Sequence, residues 1–586
     1  KTLAKGNLPA IDLAPGAETT LKLDLPRVKP GPGTEYFLNL AVSLRKDASW
    51  AKAGHEIANG QMRLPIESPA TPTVATSPVK METEGKGVRF VGAGFSVGFN
   101  DGQITSLKTG DRELLVPDGG PKLHLWRAQH RNDDGYASRE WDRAGLRGLR
   151  RVHTSTLAGQ AGPNAMQVTS STVYLGKAGF AVNHVASYTI YGDGSITVDN
   201  SVSPIGRKTT LARVGVRMLL DKSLDTVSYL GRGPMENYSD RMRGSDVGLY
   251  TSLVADQLTP YSKPMESGNH QDVRWVSLGR SNSPSLLAQA LPGETMQFSA
   301  LPYTDETLEP TPYSVDLPAS KETVLILAAK TLGVGSNACG PRPLPQYMVD
   351  SSPTAFTYTL RLLPANSGEP SLFARRTSGD VRPLLPYLSL DAERKATLAG
   401  GEKNLEISPD GQSWTPYTVP FPTTSQGFYF RSTAADGRTV SGRFEVPPTP
   451  ESVRGKATAS SFEPDEGEPE NAIDGDPETY WHSRWNPKTA GPHSLTLEFK
   501  ESKSLTGVRI TPRQDMQNGR VKDYDIYVSA DGQSWGSAIA SGTLPDSGDV
   551  QTVSFAKAAS GKFLRLVVKS DHSNGDLGAV AELEPF

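Results

Sequence analysis

The sequence predicts an all-β chain of several β-sandwich domains, and three observations carry that prediction. Its 586 residues are too many for one hydrophobic core and suggest about three to five domains. Fifty-seven glycines and 45 prolines stand beside a moderate apolar content of 36%, the balance of a chain with many short strands and turns. Apolar residues recur at every second position in several segments, while the helical period is nearly absent.

In chain order, residues 1–67 read as one small sandwich. Tyr36, Leu38, Leu40, Val42 and Leu44 alternate as on a half-buried strand, and the segment from Trp50 to Gln61 closes the unit. His55 and Glu56 in that segment form either a metal or acid/base pair or a hydrogen-bonded turn, and the turn is the favoured reading. Ser68 to Pro78 is a Pro/Thr linker without periodicity. Residues 79–363 form the large domain, expected as two big stacked sheets. Asn100-Asp101-Gly102 and Gly192-Asp193-Gly194 mark hairpins within it, and Val214, Val216 and Met218 alternate with Arg213, Gly215 and Arg217 to give one buried and one wet face.

Residues 364–450 form a small β linker domain, immunoglobulin-like, with Asp-Gly turns and no chemistry, and Val446-Pro447-Pro448-Thr449-Pro450 leads out of it. In the last segment, 451–586, Tyr524, Ile526 and Val528 give strand alternation. The run Ser408 to Trp414 echoes Ser529 to Trp535, which is one shared turn and no repeat architecture.

A net charge of −3 argues against nucleic acid or an anionic membrane as partner. No run of about 18 apolar residues is present, so no membrane insertion is expected. Cys339 is the single cysteine, which leaves the redox compartment open. Lys1 is not Met and strand-like sequence follows almost at once, so the chain is expected to be a fragment of a larger protein.

Two loops concentrate charge and aromatics: Gly231-Arg232-Gly233-Pro234-Met235-Glu236-Asn237-Tyr238-Ser239-Asp240-Arg241, and Tyr261-Ser262-Lys263-Pro264-Met265-Glu266-Ser267-Gly268. They resemble the large C-terminal β-sandwich of glycoside hydrolase family 2 β-galactosidases, a galactose-mutarotase-like supersandwich. The Trp50–Gln61 segment is similar to one in the immunoglobulin-like domain that follows the catalytic barrel in that family, which implies an immunoglobulin-like sandwich for residues 1–67. Asn471 to Trp481, Tyr524 to Gly532, Phe563 to Leu566 and Ala581 to Leu583 resemble the F5/8 C-type (discoidin) jelly roll, which includes carbohydrate-binding module family 32.

The resemblance assigns candidate residues. Trp126 to Tyr136, with Asn132, Asp133, Asp134 and Gly135, matches a loop that approaches the barrel mouth in homologues; a purely structural turn is the alternative. Cys339 sits where many members carry a tryptophan against the sugar and others a Cys-Gly-Pro variant. A small, partly buried thiol is the preferred reading over a nucleophile. Glu236, Asn237, Asp240 and Arg241, with Arg232, are expected to form a structural ion-pair network.

In the last domain His482, Arg484, Trp485, Arg513 and Asn518 are candidates for a galactose-type sugar, aromatic stacking serving its face and donors its hydroxyls. The alternative is a spacer or protein-docking module, and Trp481 is expected in the core. Asp474, Asp476, Thr479 and Glu582, with the carbonyls of Ala472 and Ala581, offer hard oxygens for a structural Ca²⁺, against the alternative of an Asp-capped turn without an ion.

Retaining hydrolysis needs two carboxylates about 5–5.5 Å apart, which family 2 enzymes place in an (α/β)-barrel. A barrel needs roughly 250 residues of alternating strand and helix, and no stretch here offers that. The expected identity is the C-terminal, non-catalytic portion of a β-galactosidase acting on terminal galactosides. Its partners would be galactose-containing glycans, the upstream barrel of the same polypeptide and a possible homo-oligomer. The appended module implies a periplasmic or secreted location. Two alternatives stand: a free-standing carbohydrate-binding or adhesive protein, and a separately encoded complementing subunit.

Overall fold

The computed structural model describes residues 2–586 other than 10, 67, 74–75, 86, 135, 207, 281, 379–381, 392–394, 424–426, 447–455, 465, 476, 478 and 574. Strands account for 47% of the structure and helices for 7%, which settles the class as all-β.

In the N-terminal unit the described residues form one antiparallel hairpin, Phe37–Ser43 with Glu56–Arg63. A complete sandwich was expected. No second sheet covers the hairpin among the described residues, so Leu38 and Leu40 are half-buried while Val42 and Ile57 stay exposed. His55 and Glu56 lie at the turn side of the hairpin: the His55 N–H donates to the Lys52 carbonyl (3.1 Å), and the Leu44 N–H donates to that of His55 (2.9 Å). The Gln61 side chain exchanges two hydrogen bonds with the Val247 backbone (2.8 and 2.9 Å), and Glu35 receives Arg274 at 2.6 Å. The hairpin is thereby docked on an edge of the large domain.

That domain has a nine-stranded antiparallel sheet, in spatial order Arg150–Gly162, Ala165–Leu175, Ala181–Tyr191, Ser195–Ile205, Thr354–Leu363, Ser285–Ala290, Trp275–Leu278, Thr226–Gly233 and Asp246–Leu253. The second layer is divided into two five-stranded sheets. One runs His270–Val273, Met296–Leu301, Glu322–Thr331, Arg213–Asp221, Lys122–His124; the other is a meander from Lys80–Glu84 to Arg112–Glu113. All three share one core, in which Phe90 and Phe99 meet Tyr188, Met218, Phe298 and Tyr358. The Asp101-Gly102 turn joins Phe95–Asn100 to Gln103–Thr109, both turn residues having positive φ (46° and 68°) as a two-residue hairpin requires.

Alternation along the central strands explains why Ala181–Tyr191 is buried throughout. Ala186, Tyr188 and Ile190 enter the sandwich core, whereas Ala181 and Val185 join Val173 and Ile205 on the opposite face. That face is covered by the next module, whose three- and four-stranded sheets contribute Leu388, Leu398, Phe430 and Phe444. A short parallel pairing, Thr71–Thr73 with Arg376–Ser378, joins the stretch read as a linker to the beginning of this module.

The terminal domain is a six-stranded sheet plus a two-stranded one, with Trp481 (0% exposed) in its core as expected. Its two long strands, His493–Thr511 and Gln551–Asp571, pair with register shifts at two places, which lets them bend around the core.

Candidate functional site

Three loops separated by about a hundred residues each are tied into one cluster at an end of the large sandwich. Arg127 and Asp133, both side chains 0% exposed, form a two-pronged ion pair (2.7 and 3.2 Å). The remaining guanidinium hydrogens reach the carbonyls of Leu332 (2.8 Å) and Gly333 (3.2 Å). Burial disfavours the Arg127 cation, but Asp133 more than offsets this and holds its pKa above the ordinary guanidinium value. Asn132 donates to the Gly335 carbonyl (3.0 Å) and accepts from the Ala338 N–H (2.9 Å); Asn337 donates to the Asp134 carbonyl (2.5 Å).

Asp240 closes the cluster from the third loop by accepting from the N–H groups of Val334 (3.1 Å) and Gly335 (2.7 Å). A Cβ on Gly333 would lie 2.7 Å from the Asp240 carboxylate, so the approach requires glycine there.

Deeper layers fix these loops. Glu236 accepts from Arg241 (2.7 Å), Thr259 (2.8 Å), Tyr261 (2.5 Å) and the Gly268 N–H (2.7 Å), so its carboxylate is saturated. Arg232 was expected in this network and instead pairs with Asp272 (2.6 Å), because its strand directs it to that neighbour. Buried Glu266 accepts from Arg213 and from Tyr238 (3.2 Å). Arg213 therefore leaves the wet face its alternation predicted: a buried carboxylate draws it inward. Burial works against the Arg213 cation, and Glu266 with Asp305 raises its pKa regardless. Asp305 binds His124 (2.7 Å) and the Ala128 N–H (2.8 Å). Burial would raise its carboxyl, yet His124 and Arg213 hold it below the usual carboxylate range.

Sequence reasoning missed His130. It is 9% exposed, its ring nitrogens have no hydrogen-bond partner, and Nε2 lies 3.6 Å from Asp133 Oδ2. Burial, reinforced by Arg127, pushes its pKa down to about 4, so the ring is neutral near pH 7. Its place two residues after the Trp-Arg-Ala run was the available signal.

The predicted residues separate by position. Asn132 is half-buried and Asp134 exposed at the cluster surface, whereas Asp133 was expected at a sugar and is sealed behind that surface by its pairing with Arg127. Gly135 lies outside the described residues. Cys339 is exposed, not partly buried, because it sits at the tip of the loop that Asn132 and Asp240 hold by its base.

A second cluster forms at one end of the terminal domain. The Ser483 N–H donates to the Gly578 carbonyl (2.7 Å), that of Ala579 to Gly519 (2.7 Å), and that of His572 to Arg520 (3.1 Å), so three loops meet. Trp485 is half-buried with its ring edge-on to His482 at 4.6 Å; Arg484 is exposed and Asn518 half-buried. His482 is 0% exposed, its Nδ1 2.6 Å from the Ser483 carbonyl, and burial lowers its pKa. Arg513 (4% exposed) lies 4.1 Å over the Tyr480 ring, forms two 2.8 Å bonds to Asp515 and donates to the Asn518 carbonyl (3.1 Å). His482 and Arg513 were expected at a sugar and stand behind the rim formed by Arg484, Trp485 and Asn518.

The oxygen set expected for Ca²⁺ spans two packed elements, the turn Pro469–Ile473 with its following loop and the strand Glu582–Pro585. Ala472, Ala581, Thr479 and Glu582 are buried, and Thr479 Oγ1 donates to Asp474 (2.9 and 3.0 Å). Asp476 lies outside the described residues. Among the described residues no three His, Cys, Asp or Glu side chains gather as a metal cluster. Asp474 and Glu582 would supply carboxylates, with the Thr479 hydroxyl and two carbonyls as neutral oxygens, a donor chemistry that fits Ca²⁺.

Comparison with known proteins places these regions. Residues 91–362 match the β-galactosidase small-chain model, residues 1–65 match β-galactosidase domain 4, and residues 456–583 match the F5/8 type C domain. The three matches cover separate stretches of the chain, and residues 66–90 and 363–455 lie outside them. A β-galactosidase of Priestia megaterium is 30% identical over 335 residues, 56% of this chain and 31% of that protein. One from Arthrobacter sp. is 28% identical over 380 residues, 59% and 35% respectively. The chain spans about a third of the length of these relatives. A solved family 32 carbohydrate-binding module of C. perfringens NanJ, in complex with galactose, is 28% identical and covers 22% of this chain and 91% of its own, with a TM-score of 0.21. Among the described residues no helix is long and apolar enough to cross a membrane.

Proposed function

We propose that this chain is the non-catalytic C-terminal part of a retaining β-galactosidase, whose loop cluster completes the rim of an active site carried by a barrel on the same polypeptide. The observation that carries this reading is the lacing of 127–133, 240 and 333–338. Three loops held this rigidly form a pre-shaped surface of the kind a substrate pocket needs. The carboxylates described in the cluster support the non-catalytic part: Glu236, Glu266, Asp305, Asp133 and Asp240 are each committed to donors from this chain. Galactosides would meet the exposed side of Asn132, Asp134 and Cys339.

The test is a nitrophenyl-β-galactoside assay of this chain alone and mixed with a barrel fragment of a relative. The chain alone is expected to be inert and the mixture active; turnover by the chain alone overturns the reading. The terminal domain would present Arg484, Trp485 and Asn518 to galactose-containing glycans outside the cytoplasm. It would hold a structural Ca²⁺ through Asp474, Thr479, Glu582 and the Ala472 and Ala581 carbonyls. Removing Ca²⁺ with a chelator is expected to lower the melting temperature of that domain, with recovery on adding the ion back; identical melting with and without the ion rejects the site.

A further inference from the structure

The face of the nine-stranded sheet that receives the 387–444 module is apolar at one end and polar at the other. At the polar end, between the sheet and the module's Gly437–Thr439 turn, lies a cleft of about 250 Å³. It shares no residue with either loop cluster. Its walls carry Gln160, Gln167, Thr189, Tyr191, Arg382 and Arg438. Strand register sets Gln167 directly across from Thr189, and Ala165 across from Tyr191, so these groups lie side by side on one face.

Three features mark the cleft as built for a ligand. Thr189 is 3% exposed and its hydroxyl has no hydrogen-bond partner, an unfavourable state for a buried hydroxyl. The two cations there are held in place from the side: Arg382 by Asp199 (3.2 Å) and Arg438 by Asp436 (2.7 Å). Neither aspartate lines the cleft, and among its described lining residues there is no carboxylate. The walls therefore offer positive charge beside amide and hydroxyl groups that both donate and accept.

We propose that this cleft binds a single saccharide residue bearing one negative group, a carboxylate or a sulfate ester. Guanidinium groups match such an oxyanion, and the glutamines, Thr189 and Tyr191 match ring hydroxyls. The volume lies below the roughly 300–1,000 Å³ of drug-sized pockets, which limits the occupant to about one sugar ring.

Calorimetric titration of the full chain with D-galacturonate, galactose 6-sulfate and D-galactose tests this. One or both charged sugars should bind about tenfold tighter than galactose, and which one binds separates carboxylate from sulfate recognition. Binding should weaken about tenfold in Arg438→Gln and by a smaller factor in Thr189→Val, which keeps the side-chain shape, and should weaken with added salt. Titrations repeated in a Trp485→Ala background remove the terminal-domain rim, so that the cleft is read alone. Absence of binding by both charged sugars there, equal affinity for neutral galactose, or binding unaltered by Arg438→Gln overturns the proposal.

Discussion

Arg127 and Arg513 are both loop arginines at the end of a β-sandwich, both joined to an aspartate two-pronged, and they meet solvent in opposite ways. The Arg127–Asp133 pair has neither side chain exposed, and its spare hydrogens end on carbonyls of a loop two hundred residues away. Arg513 is equally buried, but Asp515 is 46% exposed and the guanidinium rests on a tyrosine ring beside a rim of half-buried groups. In the first cluster charge is used up inside the protein to fix the shape of a surface. In the second, one partner stays in water, so the pair can be rearranged or solvated at small cost. A buried pair is strongly needed once both members are in place, whereas an exposed member contributes little.

The largest effect that would break this contrast is expected from Asp133→Ala. It leaves the Arg127 cation buried and half-paired and should cost about 3–5 kcal/mol in urea unfolding of the full chain. A loss below about 1 kcal/mol would put the two clusters in the same class.

Acid should weaken the large sandwich. The folded-state pKa values of His130, His184 and His270 are held down to about 4, in each case chiefly by burial, against an ordinary value near 6.5. Protonation therefore favours the unfolded chain. The contribution of these histidines to stability is complete above pH 6.5, falls as the pH drops, and is spent below 4. Each histidine contributes on the order of 3 kcal/mol to that fall. His130→Gln should make the acid limb shallower, as followed by tryptophan fluorescence; an unchanged limb would show that His130 does not titrate in this range.

Smaller is Asp515→Ala, expected to cost about 1 kcal/mol or less because half of the carboxylate is already solvated. Smallest for stability is Trp485→Ala. It should leave the melting temperature nearly unchanged while lowering affinity for a galactose-bearing glycan about tenfold on a glycan array or by titration. Equal affinity would remove Trp485 from the sugar rim.

Legibility in the sequence followed the range of the interaction. Period-two patterns revealed the strands around Leu38 and Ile526, and Asn100-Asp101-Gly102 fixed a hairpin to within a residue, because alternation and turn chemistry are local. The duplicated Ser-x-Asp-Gly-Gln-Ser-Trp turn shows the same thing. Asp410 and Asp531 each accept from the two backbone N–H groups that follow the glycine, and each turn's tryptophan carries an arginine over its ring, Arg431 or Arg565. The aspartate and serine bonds were implicit in the motif; the arginines, supplied by other strands, were not.

Resemblance set the Trp126 loop at a barrel mouth and Cys339 at a sugar-facing position. It could not say that Asp240 would lie between them or that Asp133 would turn inward. The His124–Asp305 bond joins residues 181 positions apart, and a simple alternation along Arg213–Asp221 cannot foresee a carboxylate waiting beneath its polar face. Burial of His482 and Arg513 was hidden for the same reason: whether a polar loop residue faces water depends on the other loops.

The parallel pairing of Thr71–Thr73 with Arg376–Ser378 has a mechanical consequence. Tension between the N-terminal hairpin and the terminal domain pulls the first strand toward its start and the second toward its end, so their shared bonds are loaded together in shear. Arg376 is also anchored sideways, its carbonyl accepting from Gln289 (3.1 Å) and Arg361 (3.0 Å). A pull applied at the far end of the chain would load this clasp together with the bonds that hold the module on the nine-stranded sheet, the Asn183–Glu445 pair among them (2.7 and 2.8 Å).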